Sequence, residues 1–170
     1  MATVRFLSRV PASREYLKTR SQALHLSPSN FTQYLTENTL YGVVIDMPMS
    51  PTVITTMACF VNGAANLYFS NGADYSGAAQ RYPGVVQATR MFVNSAAQFL
   101  ELAEPAPSFE LPMAQTHYVY FLTTGGAYRL AVKATTSNQN PMERVLMQMY
   151  QRVMSELRSA QMKDRAANQK

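Results

Sequence analysis

The chain has no tryptophan, one cysteine and two histidines in 170 residues, and each scarcity removes a class of function. Cys59 alone founds no disulfide framework. It lies in an apolar run with no histidine or second cysteine nearby, so a buried, inert thiol is expected. His25 and His117 stand in a helix-like and a strand-like context with no carboxylate at metal-ligand spacing, which makes both structural and predicts no metal. Asp46 and Asp74 follow apolar or glycine-containing stretches, as a phosphate or Mg²⁺ site requires. However, no Gly-Lys-Ser/Thr follows Gly72 or Gly77, so the P-loop pattern is missing. A Gly-x-Ser-x-Gly elbow and a dinucleotide fingerprint are missing as well. With no constellation to assemble, the expectation is a non-catalytic protein with no catalytic, cofactor or metal residues.

Long apolar runs are also lacking. No stretch approaches the roughly 18 uninterrupted apolar residues of a membrane span. Arg5, Arg9 and Pro11 interrupt the N-terminus where a signal peptide needs its apolar region, so a cytoplasmic location is expected. Asn30-Phe31-Thr32 is then a chance match to the glycosylation pattern. Charge is sparse and uneven. Residues 1–20 hold Arg5, Arg9, Arg14, Lys18 and Arg20 against Glu15, and residues 143–170 hold six basic against three acidic side chains. The ends together carry +7 and the middle −2. Few aromatics are interleaved with these charges, unlike a nucleic-acid face. Solvated helical faces and tails are the first expectation, with an acidic partner protein, a membrane surface or nucleic acid as alternatives.

What is present is two apolar hairpins, each followed by an amphipathic helix. Thr56–Ser70 folds around Asn62-Gly63, a strong signal for a two-residue hairpin turn, and Thr116–Ala134 folds around Gly125-Gly126. Val53–Val61 is apolar on both alternating faces, which predicts a sheet covered on both sides. Pro83 opens a helix carrying Val85, Ala88, Phe92, Ala96, Phe99 and Ala103 at three- to four-residue spacing, and Glu104-Pro105-Ala106-Pro107 stops it. Val86, Met91, Val93 and Leu100 add a second apolar flank, more than one buried stripe requires.

Phe109–Met113 reads as a short edge strand weakened by Pro112. Asn140, Pro141 and Glu143 mark the start of the last helix, whose Met142, Val145, Leu146, Met149, Val153 and Leu157 are expected to face the sheet. Beyond Met162 the pattern fades into a basic tail, residues 163–170. Upstream, residues 1–40 form a helical segment in which Ser13 caps one helix and Ser27-Pro28 opens a second. Leu40–Met47 reads as an accessory strand or arm. Asp74 and Tyr75, in the glycine-containing stretch after Asn71-Gly72, are the candidate ligand loop.

The Asn62-Gly63 hairpin, the Val85–Ala103 helix, the Tyr118–Val132 hairpin and the Val145–Leu157 helix together resemble the roadblock/dynein-light-chain domains and their longin relatives. The likeness spans roughly Thr56 to Leu157. It implies a profilin-like α/β (α+β) module over residues 41–162, with an antiparallel sheet of about five strands and helices on both faces. It also implies a homodimer formed through the middle helix and adjoining edge strand, acting as a regulator or scaffold of a small GTPase or cytoskeletal assembly. Val86, Met91, Val93, Leu100 and Phe109 are the interface residues this suggests. The alternative function is a sensor domain holding a small apolar molecule between sheet and helix.

Overall fold

Apolar side chains on both faces make Leu40–Pro48 (β1) the buried centre of an antiparallel sheet in the computed structural model of the chain, which describes residues 11–35 and 39–168. Arg5, Arg9 and Lys170 lie outside the described residues. β1 pairs on one side with Ile54–Phe60 (β2), followed by Ala65–Phe69 (β3) and Asp74–Tyr75 (β4). On its other side lie Thr116–Thr123 (β6), Gly126–Lys133 (β7) and Glu104–Pro105 (β5), giving the order β4-β3-β2-β1-β6-β7-β5. The sheet thus has seven strands where about five are expected, because two-residue strands close both edges. β1 is no accessory strand. Phe109–Met113 is not a strand at all, and the edge beside β7 belongs to Glu104–Pro105, where Pro105 opposes Tyr128 and needs no N–H.

The hairpin turns differ from the sequence expectation in one respect. Gly63 alone takes positive φ (95°); its N–H reaches the Phe60 carbonyl at 2.9 Å, and Phe60 N–H reaches Ala64 at 2.9 Å. That is a three-residue loop closed through a left-handed glycine, with the Asn62 side chain accepting from the Ala64 N–H. Asn71-Gly72 repeats it between β3 and β4, with Gly72 at φ 99° and Asn71 accepting from Ala73.

Alternation along the strands sorts the side chains onto two covered faces. Val43, Ile45 and Met47 point to one, under the helices Pro83–Ala96 (α3) and Pro141–Asn168 (α4). There Leu67, Met57, Ile45, Val119 and Leu130 line up across five strands as a buried row. Val44 and Asp46 point to the other face, under Arg14–Leu24 (α1) and a 3₁₀ segment, Pro28–Tyr34. The Ser13 side chain caps α1, accepting from the Tyr16 N–H, and the Ser13 N–H ties the helix start to the Ser70 carbonyl at 2.8 Å. Phe31 stacks on Phe60 and on Tyr41, sealing this layer. Short helix α2 (Ala78–Arg81) links β4 to α3, which continues as a 3₁₀ turn over Ala97–Leu102. No helix among the described residues is long and apolar enough to cross a membrane.

Candidate interaction face

Two helices on one sheet face leave a seam between them that points outward. α3 buries Val85, Ala88, Thr89, Phe92, Val93 and Ala96, and α4 buries Leu146, Tyr150, Val153, Met154, Leu157 and Ala160. Asn140 caps α4 by accepting from the Met142 and Glu143 N–H groups, and Pro141 occupies the first position. Between the helices runs a groove of about 330 Å³. Its floor and walls are apolar, with Ala88, Met91 and Phe92 from α3 and Val145 and Met149 from α4; Ser95, Gln98, Gln148 and Arg152 form the rim. Met91 is 60% exposed and Val145 46% exposed, and Met142 stands exposed one turn before Val145. Met142 and Val145 are therefore not part of the sheet-facing stripe, as periodicity suggested. Leu146, Tyr150, Val153 and Leu157 carry that stripe, while its apolar shoulder turns to the groove.

Charge on α4 is sorted by exposure. Arg144, Arg152, Arg158, Lys163 and Arg165 are exposed, whereas Glu143, Glu156 and Asp164 are half-buried and turned inward. Glu143 accepts from Asn138 at 3.1 Å, and the Glu156 carboxylate lies over Gly84, with Oε2 3.0 Å from where a Cβ would stand. Asp164 gathers Tyr75 at 2.6 Å, Arg81 at 2.7 Å and Tyr82 at 2.5 Å. Hydrogen bonds from Arg81, then Tyr75 and Tyr82, hold its carboxyl down at about 2. Residues 163–168 are thus helical, and Asp164 fastens the end of α4 to α2 and β4. Deleting Lys163–Lys170 should lower the melting midpoint at low salt, with Asp164→Asn reproducing much of the loss. A midpoint unchanged in both variants would show the cluster to be idle. Because the Asp164 pKa is depressed, its contribution is present above about pH 4 and lost as pH falls through about 2.

The five sequence-suggested interface residues do not share one surface. Met91 lies in the groove. Val93 is fully buried within the chain, and Leu100 is half-buried against the core. Val86 packs over the β2–β3 turn, where a Cβ on Gly63 would stand 2.6 Å from it. Phe109 sits on the opposite sheet face, edge-on to His25 and Tyr120. Helix geometry explains the scatter: at roughly 100° per residue, Met91 and Val93 point about 160° apart. Sheet, α4 and hairpin turn each take a different side of α3. Asp74 is exposed, and the half-buried Tyr75 beside it gives its hydroxyl proton to Asp164.

The remaining chemistry-bearing groups are interior. Arg20, counted by sequence among the solvated basic residues, is buried and gives two-point contact to Asp46, at 3.0 Å from Nε and 2.6 Å from the guanidinium amine. His117 Nδ1 and the Tyr150 hydroxyl share a 2.6 Å hydrogen bond beneath α4. Among the described residues, no group of three His, Cys, Asp or Glu side chains is placed to hold a metal ion. Cys59 is fully buried under α3, and burial pushes its thiol pKa up. It should react slowly with a thiol reagent in the native protein and quickly in denaturant; fast native labelling would show the layer above it to be open.

No family model, no curated protein and no solved structure matches the chain.

Proposed function

We propose that the chain is a non-catalytic protein-interaction module that works through the outer α3–α4 face. The observation that carries this reading is Met91 and Val145, both apolar and exposed, on the two walls of one groove whose inner side is already packed on the sheet. Exposed apolar side chains gathered on one groove, rather than scattered singly, are what a contact surface requires. The order of elements supports the same reading, since hairpin, helix, hairpin and helix recur at β2–β3, α3, β6–β7 and α4. The roadblock resemblance implies a regulator or scaffold, and a small GTPase is one such partner. A sensor holding an apolar molecule between sheet and helix has less support, because Ile45, Met57, Val119, Phe92 and Tyr150 fill that layer.

Photo-crosslinking in the cells that make the protein tests the reading. A photoreactive side chain replaces Met91, Val145 or, as control on the far sheet face, Lys18. Discrete adducts from Met91 and Val145 but not from Lys18 are the expected result. An adduct of twice the chain's mass reports the homodimer that the resemblance implies. Absence of adducts at both groove positions would overturn the proposal.

A further inference from the structure

Resting on the interaction-face reading, we infer that the α3–α4 groove receives an acidic amphipathic helix from a protein partner. The groove has the chemistry for one. Its apolar lining is Met91, Phe92, Val145 and Met149, and thioether side chains reshape readily around an incoming apolar row. From Val145 to Arg152 the α4 wall spans roughly 10 Å at 1.5 Å per residue, which matches about two turns of a docked helix presenting anchors at i, i+3 or i+4, and i+7.

The rim supplies the sign of the partner. Arg144, Gln148 and Arg152 stand at four-residue spacing, so they form one row along α4, and Gln148 and Arg152 line the groove directly. Across it, the α3 side offers only the neutral Ser95 and Gln98. No carboxylate lines the groove, since Glu143 is held by Asn138, Glu156 covers Gly84 and Asp164 is bound by Arg81, Tyr75 and Tyr82. Acidic residues flanking an apolar stripe therefore find Arg152 on the rim, Arg144 two turns before it in the same row, and no carboxylate in the lining.

The other occupants fit less well. A second copy docked groove to groove brings the same arginine row and no carboxylate in the lining, so the groove contact lacks charge complementarity. An anionic membrane is normally gripped by a cluster of about four to eight basic side chains, and only Arg144 and Arg152 lie in this row. Nucleic acid favours exposed aromatic rings for stacking, whereas Phe92 is buried at the groove floor.

Fluorescence anisotropy with the full chain tests this. Three synthetic peptides of about 16 residues serve as probes: one with Leu and Phe in a helical stripe and Glu elsewhere, one with the same stripe and Lys in place of Glu, and one with Glu kept and the stripe replaced by Ser. The first should bind about tenfold tighter than either of the others, and more weakly as salt is raised. Arg152→Glu should weaken it about tenfold and improve the Lys peptide. Met91→Asp and Val145→Asp should remove binding while leaving the circular dichroism spectrum unchanged, and Lys18→Glu on the far face should change nothing. Equal binding of the Lys peptide, or no binding of the Glu peptide, overturns the inference. So does light scattering that shows a dimer dissolved by Met91→Asp, or vesicles of phosphatidylserine that bind in an Arg152-dependent way while the Glu peptide does not. Those last outcomes leave the interaction face standing with another occupant. Loss of crosslinking at both Met91 and Val145 would remove the face itself.

Discussion

Replacing Asp46 by Ala is expected to cost about 3–5 kcal/mol, because it strands a buried guanidinium. Asp46 is fully buried on the central strand. It accepts from Arg20 through both oxygens and from the Thr56 hydroxyl at 2.7 Å. Thr56 has one hydroxyl proton and gives it to Asp46, so the Tyr16 hydroxyl must donate to Thr56 at 2.6 Å. Arg20 also donates to the Phe109 carbonyl at 2.9 Å and the Glu110 carbonyl at 3.2 Å. One pair of charges thereby fastens α1, the central strand and the 109–110 segment together. Burial alone would lower the Arg20 pKa, but the charge and hydrogen bonds of Asp46 outweigh it, and Arg20 stays ionised.

The loss would consume a large share of a typical domain stability of about 5–15 kcal/mol. Urea titration of Asp46→Ala should show the midpoint falling sharply. The paired change Arg20→Met with Asp46→Leu should recover most of it, because the desolvation of both charges disappears with them. A single variant with the native midpoint would mean that water reaches the pair and that α1 is held by its apolar contacts alone.

The Arg20–Asp46 pair marks where the sequence stops being legible. Ser13, Pro83, Asn140 and the Asn-Gly pairs act within a few residues of themselves, so their caps and turns are readable from the chain. Arg20 and Asp46 are 26 residues apart on elements with no shared periodicity, and nothing local distinguishes Arg20 from the solvated Lys18. β1 illustrates the same limit. Its run Val43-Val44-Ile45 reads as a strand, but only the pairing to both β2 and β6 makes it central. The groove was half legible. Surplus apolar residues on α3 announce that more than one neighbour covers the helix, yet periodicity cannot assign Val93 to the core and Met91 to the outside. On α4 it likewise merges Val145 with Leu146. The two-residue edge strands are too short to show any alternation; β5 is added by backbone pairing to β7, and β4 by pairing to β3 together with the distant Tyr75–Asp164 hydrogen bond.

Mild acid should weaken the fold through His117. Burial pushes its pKa down from 6.5 to about 4, so the native protein keeps the imidazole neutral where the unfolded chain protonates it. The sign follows from proton linkage: between pH 6.5 and 4 the unfolded state binds more protons, so stability is full above pH 6.5 and declines as pH falls toward 4. At 1.36 kcal/mol per unit, the loss reaches about 3 kcal/mol at its limit. Tyr150 is the group in direct contact, its own pKa raised by burial and then by the charge of Glu143 on the same helix. The tyrosine hydroxyl stays neutral throughout this window, so the imidazole alone titrates between them.

Urea midpoints measured from pH 8 to 4 should slope downward below 6.5 in the native chain and flatten in His117→Gln, which retains a hydrogen-bond partner for Tyr150 without a titrating ring. The window separates this effect from Asp164, whose contribution is lost only as pH falls from about 4 toward 2. A His117→Gln profile as steep as the native one would place the acid sensitivity elsewhere. Because Phe92 meets the Tyr150 ring edge-on and also floors the groove, protonating His117 should disturb the α3–α4 seam before the far sheet face. Hydrogen exchange at pH 5 should accordingly rise first in α3 and α4 and last in α1.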